Sequence, residues 1–294
     1  VSLAGERGIP CIDIGKKCNV NLQIAGENEL RTGGIRVPDS SVLTIVGDGN
    51  LTINLNSGKY YGIGNSLDEY HGELNFYQDG GIIINANGMK GVGIGSGLGG
   101  VINIKRGHYE LDMKGQEGAC IGSVNGDSEL FIEYCDMDIY SGISNGTIIG
   151  SVNGDADIKL ENISAKLQGA GNVITGIGTI AGNSCMVRLE NVNISSNIRA
   201  KECYGIGCRA GRTDIYIGYA AVKSVVQGKS AVAFGNSVMS AKLYCSNADV
   251  ETNAVTEFNS DIGALEKNIQ LENGRAEFIL NGQEVKRQIL AARL

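Results

Sequence analysis

Apolar residues along this chain come in short runs that alternate with polar ones at period two, broken by Gly, Asn and Asp. That pattern predicts strands joined by tight turns, because alternate side chains of a strand point to opposite faces. No segment carries the paired 3.6-residue stripes that a helical repeat would need. The runs also repeat. GIRV (34–37), GIGN (62–65), GIGS (93–96), CIGS (120–123), IIGS (148–151), GIGT (176–179), GIGC (205–208) and AFGN (233–236) align on one central residue. That column reads Ile35, Ile63, Ile94, Ile121, Ile149, Ile177, Ile206 and Phe234, at spacings of 28, 31, 27, 28, 28, 29 and 28. Ile12, in PCIDIG, fits one shorter coil earlier, and IGSVNGD occurs twice, at 121–127 and 149–155.

Each repeat holds three strand-like pieces, for example 119–123, 129–134 and 137–141. A second inward column is expected at Ile104, Ile132, Leu160, Leu189, Ile217 and Leu243, and a third at Ile139, Leu167 and Ile194. Three strands and three turns per coil predict an all-β, right-handed parallel β-helix, a three-sided solenoid of about ten coils of ~28 residues. At about 4.8 Å per coil the rod would be about 45–50 Å long. We place the solenoid at 1–257 and a C-terminal cap at 258–294, with a hairpin turning at Asn281-Gly282 that would cover unpaired strand edges. Glycine follows the column residue at 64, 95, 122, 150, 178, 207 and 235. It would either supply a positive φ at a corner or leave a bare strip open to a covering loop, a second protomer, another protein or a flat ligand.

Composition narrows the function. Glycine is abundant at 44 residues and proline scarce at 2. A net charge of −7 lacks the basic footprint of a nucleic-acid binder, so nucleic acid is not an expected partner. No run of about 18 apolar residues is present, so no membrane insertion by a helix is expected. Val1 enters mid-pattern, and the chain reads as an excised or processed piece. The eight cysteines contain no CxxC and several fall at core positions, which predicts buried free thiols. Free thiols suit the cytosol and pull against a secreted location.

Outward columns on the second strand offer candidate ligand contacts: Glu133, Glu161 and Glu190, with Lys159 and Arg188 beside them to offset their repulsion. One such column is expected to run Tyr77, Lys105, Glu133, Glu161, Glu190, Gly218, and its neighbour Asn103, Phe131, Lys159, Arg188, Tyr216, Lys242. Tyr134 and Tyr216, with Tyr140 and Tyr219, could stack on sugar rings. The Asn-Gly-Asp turns place Asp127 and Asp155 one coil apart near Asp157, an oxygen-rich set that suits calcium; no other cofactor is expected. Asp155 with Asp157, or Asp136 with Asp138, could approximate an inverting carboxylate pair. His71 and His108 show no partner in the sequence, and no catalytic residue is assigned. Asn162 and Asn191, each following Glu at matching turns, are expected to hydrogen-bond between coils as a structural stack.

The passage AGENELRTGGIRVPDSSVLTIVGDGNLTINLNSGKYYGIGNS (25–66) resembles a repeat of large surface proteins of Gram-positive anaerobic bacteria. It shares their succession of G-x-N-x-L, G-I-x-V-P, L-T-I-x-G-x-G-x-L-T-I and G-I-G. Later coils lose the middle segment, and cysteine is unusually frequent. The resemblance implies a carbohydrate-binding, β-helical domain at an extracellular or cell-surface location, and transfers no catalytic motif. Three functions stay open: a non-catalytic polysaccharide-binding or adhesive module, a purely structural spacer, and a polysaccharide lyase or glycoside hydrolase of the pectin-lyase-like fold.

Overall fold

The structure is a computed structural model that describes residues 1–6, 9–239, 241–257, 269–280 and 283–290. Among these residues there is no helix; strands stacked almost entirely in parallel wind into a β-solenoid of about nine turns. The rung column holds Cα over Cα from Ile12 through Ile35, Ile63, Ile94, Ile121, Ile149, Ile177 and Ile206 to Phe234. That is nine rungs among the described residues, in keeping with the expected solenoid. From Ile35 onward every member is completely buried. Replacing one by Ala would open a cavity costing about 2–5 kcal/mol.

The other two columns need a shift of two residues at their far ends. Ile217 stacks on Cys245, and Leu243 on Ile215. Ile194 stacks on Ala165, while Leu167 meets Ser196, then Ser224 and Thr252. A two-residue slip keeps the inward face inward, so alternation alone does not detect it. Outside the core, Lys159 and Arg188 lead to Tyr216 and then Tyr244, not Lys242. A register irregularity likewise sets Tyr77 against Arg106 rather than Lys105.

In the coils between Ser128 and Cys208 the three expected pieces are hydrogen-bonded as two strands, whereas Glu73–Ser96 and Gly100–Ser123 each run as one. A short one such as Ser128–Glu133 is followed by a long one such as Cys135–Ser151, which carries the third piece directly into the next rung. At the far end Ile269–Leu280 stacks in parallel on Ala241–Thr256 and pairs antiparallel with Gln283–Leu290. The Asn281-Gly282 turn expected between them, segment 258–268 and residues 291–294 lie outside the described residues.

The glycines after the column residue do two things. Gly122 has φ +128° and Gly150 has φ +132°, a region that L side chains rarely adopt. A Cβ on Gly122 would also drive into the Gly150 carbonyl oxygen of the next coil, and one on Gly150 into that of Gly178. The expected bare strip is covered: residues 118–123 and 146–151 are buried along their whole length. Leu67, Val124, Val152 and Ile180 fold over it from the following turns and pack with Val92 and Ala119 in a small second core. Of the occupants anticipated for the strip, a covering loop is the one present.

Gly122→Ala is therefore expected to destabilise by about 2 kcal/mol or more. Gly58→Ala, whose added Cβ would meet nothing, is expected to stay within about 0.5 kcal/mol of the parent. Urea unfolding of the two variants reads the difference.

Candidate functional site

The residue after each rung glycine is small and polar, and it clamps a covering turn, either its own or that of the preceding coil. Ser123 Oγ donates to the Gly126 carbonyl and shares a hydrogen bond with Ser128 Oγ (2.7 Å). Ser151 Oγ reaches the same Gly126 carbonyl at 2.7 Å, and Thr179 Oγ1 reaches Gly154 at 2.7 Å. Asn236 Nδ2 donates to Gly211 at 2.7 Å. All four side chains are buried, and their hydrogen bonds satisfy carbonyls that the covering turn shields from water. Column analysis centred on apolar residues missed this ladder; the signal was Asn, Ser, Thr or Cys after every rung glycine.

This clamp sets the chemistry of the turn carboxylates. Asp127 Oδ1 accepts the backbone N–H of Asp155 at 2.9 Å. Asp155 Oδ1 accepts those of Asn183 (2.7 Å) and Ser184 (3.0 Å). Asp157 pairs with Arg188 at 3.0 Å. All three aspartates line one open groove, with Glu129, Tyr70 and Met186 also on its walls. Calcium takes 6–8 oxygens, whereas each of these carboxylates already has an oxygen engaged. No group of three or more His, Cys, Asp or Glu side chains is gathered for a metal among the described residues. The aspartates as placed tie one coil to the next.

On the second wall Glu133, Glu161 and Glu190 stack in register as expected. Their charges are offset unevenly. Lys105 reaches Glu133 at 2.5 Å and Lys159 reaches Glu161 at 2.7 Å; Glu161 in turn raises the Lys159 ammonium above its ordinary value. Arg188 turns to Asp157 instead, and Glu190, without an ion pair among the described residues, lies over the bare backbone of Gly218. Exposed pairs of this kind are worth about 0–1 kcal/mol each. The neighbouring column runs on through two tyrosines, Tyr216 and Tyr244, with ring centroids 6.4 Å apart, to Gln270. The structure thus brings Lys159 and Arg188 beside the glutamates, with Tyr216 next in their own column. Tyr134 sits apart, at the corner between the second and third walls.

That corner repeats. Tyr134, Asn162, Asn191, Tyr219, Asn247 and Asn273 occupy it on six successive coils, with φ between +47° and +54°. Asn tolerates this left-handed conformation; a bulky residue there is an outlier, at a cost of about 1–2 kcal/mol. The backbone N–H of each of the first four bonds a carbonyl of the next coil. Asn191 Nδ2 donates to Asn162 Oδ1 at 2.6 Å, which is the structural stack expected of these two amides. The tyrosine rings are 62% (Tyr134) and 64% (Tyr219) exposed, so neither contributes to the core.

The two histidines sit in different surroundings, His108 stacked on Asp136 at the surface and His71 in the interior. His108 gains a partner that the sequence did not reveal, Glu110 on the same face at 2.8 Å, and both are exposed. His71 is buried beside Gly100, with Nδ1 against the Gly72 carbonyl and Nε2 without a partner among the described residues. Burial pushes its imidazole down to about 4, partly countered by the Gly72 contact. Six cysteines, Cys120, Cys135, Cys185, Cys203, Cys208 and Cys245, are buried free thiols; Cys11 is half-buried and Cys18 exposed. Burial pushes the Cys120 thiol up to about 12.

Two outcomes follow from these burials. Neutral His71 stabilises the fold fully above its unfolded value near 6.5, and that stability is lost as the pH falls towards 4. The loss amounts to about 3 kcal/mol; an NMR titration should find His71 neutral down to about pH 4, and urea midpoints should fall across the same range. At pH 8 iodoacetamide should label Cys18 readily and Cys11 more slowly, and the other six only after unfolding, as counted by mass spectrometry. No protein-family profile, curated protein sequence or solved structure matches this chain.

Proposed function

We propose that this chain is a non-catalytic polysaccharide-binding or adhesive β-solenoid module of a bacterial surface protein. The observation that carries the proposal is which aromatic side chains the rod leaves outside. Its aliphatic residues fill the core, while Tyr70, Tyr77, Tyr134, Tyr140, Tyr216 and Tyr219 stand exposed along the coils. Tyrosine joins an apolar ring face, suited to the C–H face of a sugar, to a hydroxyl that stays wet. On the second wall the Tyr216–Tyr244 pair continues the column of Lys159 and Arg188, next to Glu161 and Glu190. A polymer laid there would find ring faces and charged hydrogen-bonding groups in one line.

The carboxylates in internal use favour binding over hydrolysis: Asp155 is held by two amides and Asp157 by Arg188. The same coil-to-coil ties would serve a purely structural spacer, so the test must detect a ligand. Binding to arrayed plant and bacterial polysaccharides is expected to saturate. Tyr216→Ala with Tyr244→Ala is expected to weaken it about tenfold. An array with no saturable signal would leave the spacer. Chain cleavage of pectin, alginate or glucans, read by product analysis, would favour the enzyme reading.

A further inference from the structure

We infer that the corner edge Tyr134–Asn162–Asn191–Tyr219 binds a neutral sugar chain laid along the axis of the rod, an inference that rests on the glycan-binding reading above. Six consecutive coils turn this corner with nearly the same backbone conformation, and four of them use Asn. The two tyrosines are thus the strained choice at positions where Asn demonstrably serves the fold. Their rings are mostly exposed, and their hydroxyls make no hydrogen bond among the described residues. Strain kept where packing gains nothing points to a ligand.

The spacing fits a linear oligosaccharide. The two tyrosines stand three coils apart, about 14 Å at the inter-strand repeat, so one chain can seat a ring on each with intervening units over the two amides. Asn191 Nδ2 donates to Asn162 Oδ1, while the Asn162 NH2 and the Asn191 side-chain carbonyl oxygen make no hydrogen bond among the described residues. They form one donor and one acceptor, matching hydroxyls that both give and take hydrogen bonds. An open trough of about 700 Å³ runs beside the edge. On its floor Ser164 and Asn193 make no side-chain hydrogen bond among the described residues.

Charge selects the class of sugar. Asp136 lines the trough, and Glu190, which has no ion pair among the described residues, immediately precedes Asn191, whereas Glu133 and Glu161 are offset by Lys105 and Lys159. Uronic-acid polymers would meet a field of their own sign, whereas uncharged chains would not.

The test replaces both tyrosines by the residue that neighbouring coils already use. Tyr134→Asn with Tyr219→Asn should fold with a urea midpoint equal to or above that of the parent, so lost binding cannot be blamed on lost structure. Calorimetric titration with cellohexaose, mannohexaose and chitohexaose should show the parent binding at least one of them. Hexagalacturonate should bind more weakly, and the double variant should lose about tenfold or more of the neutral affinity. Unchanged affinity in the double variant, or a loss seen only with Tyr216→Ala and Tyr244→Ala, would overturn the edge while leaving glycan binding in place. Preference for hexagalacturonate would overturn the neutral class. A parent chain that binds no polysaccharide, on the array or in the titrations, would overturn both readings together.

Discussion

Register between successive coils is the constraint on which the rest of this molecule depends. Parallel pairing keeps Ile121, Ile149, Ile177 and Ile206 directly above one another, so each coil buries its apolar residue against an identical neighbour. A solenoid has no other source of core. One residue of slip would turn every inward side chain outward, and the glycine after each column residue from Ile63 to Ile206 guards against it. With φ above +90° and a carbonyl of the next coil where a Cβ would lie, these positions admit one backbone path.

The polar groups of the turns are subordinate to that stacking. Ser123, Ser151 and Thr179 hold turn carbonyls from inside, while Asp127 and Asp155 hold the amides of the next coil from outside. The aspartates singled out for calcium also serve as inter-coil ties. The same satisfaction brings Val124 and Val152 down over the rung, which turns a glycine strip expected to be bare into interior.

What remains for function is whatever the fold does not use. The second wall keeps its glutamates in line but offsets two of the three, and Glu190 rests on backbone. The corner between the second and third walls is different: it spends conformational strain on Tyr134 and Tyr219 while burying neither. Both tyrosines were legible as exposed aromatics, but nothing in the residue pattern showed that they share one backbone position with Asn162 and Asn191.

The sequence by itself determined the solenoid, its period and the rung column, because an apolar residue that recurs every 27–31 positions between glycines can be buried only against its own copies. It also indicated that several cysteines are interior, since they stand at core positions of the repeat, though not that Cys11 and Cys18 lie outside that set. Tertiary structure decided the rest. Period-two alternation is blind to shifts of two residues, so the partners of Ile217 and Leu167 emerged only from the hydrogen-bonded ladder. The fate of the glycine face depended on turns folding back over it, and the fate of the aspartates on amides contributed by the next coil. Those contacts join residues about a coil apart through backbone geometry, which no spacing along the chain records.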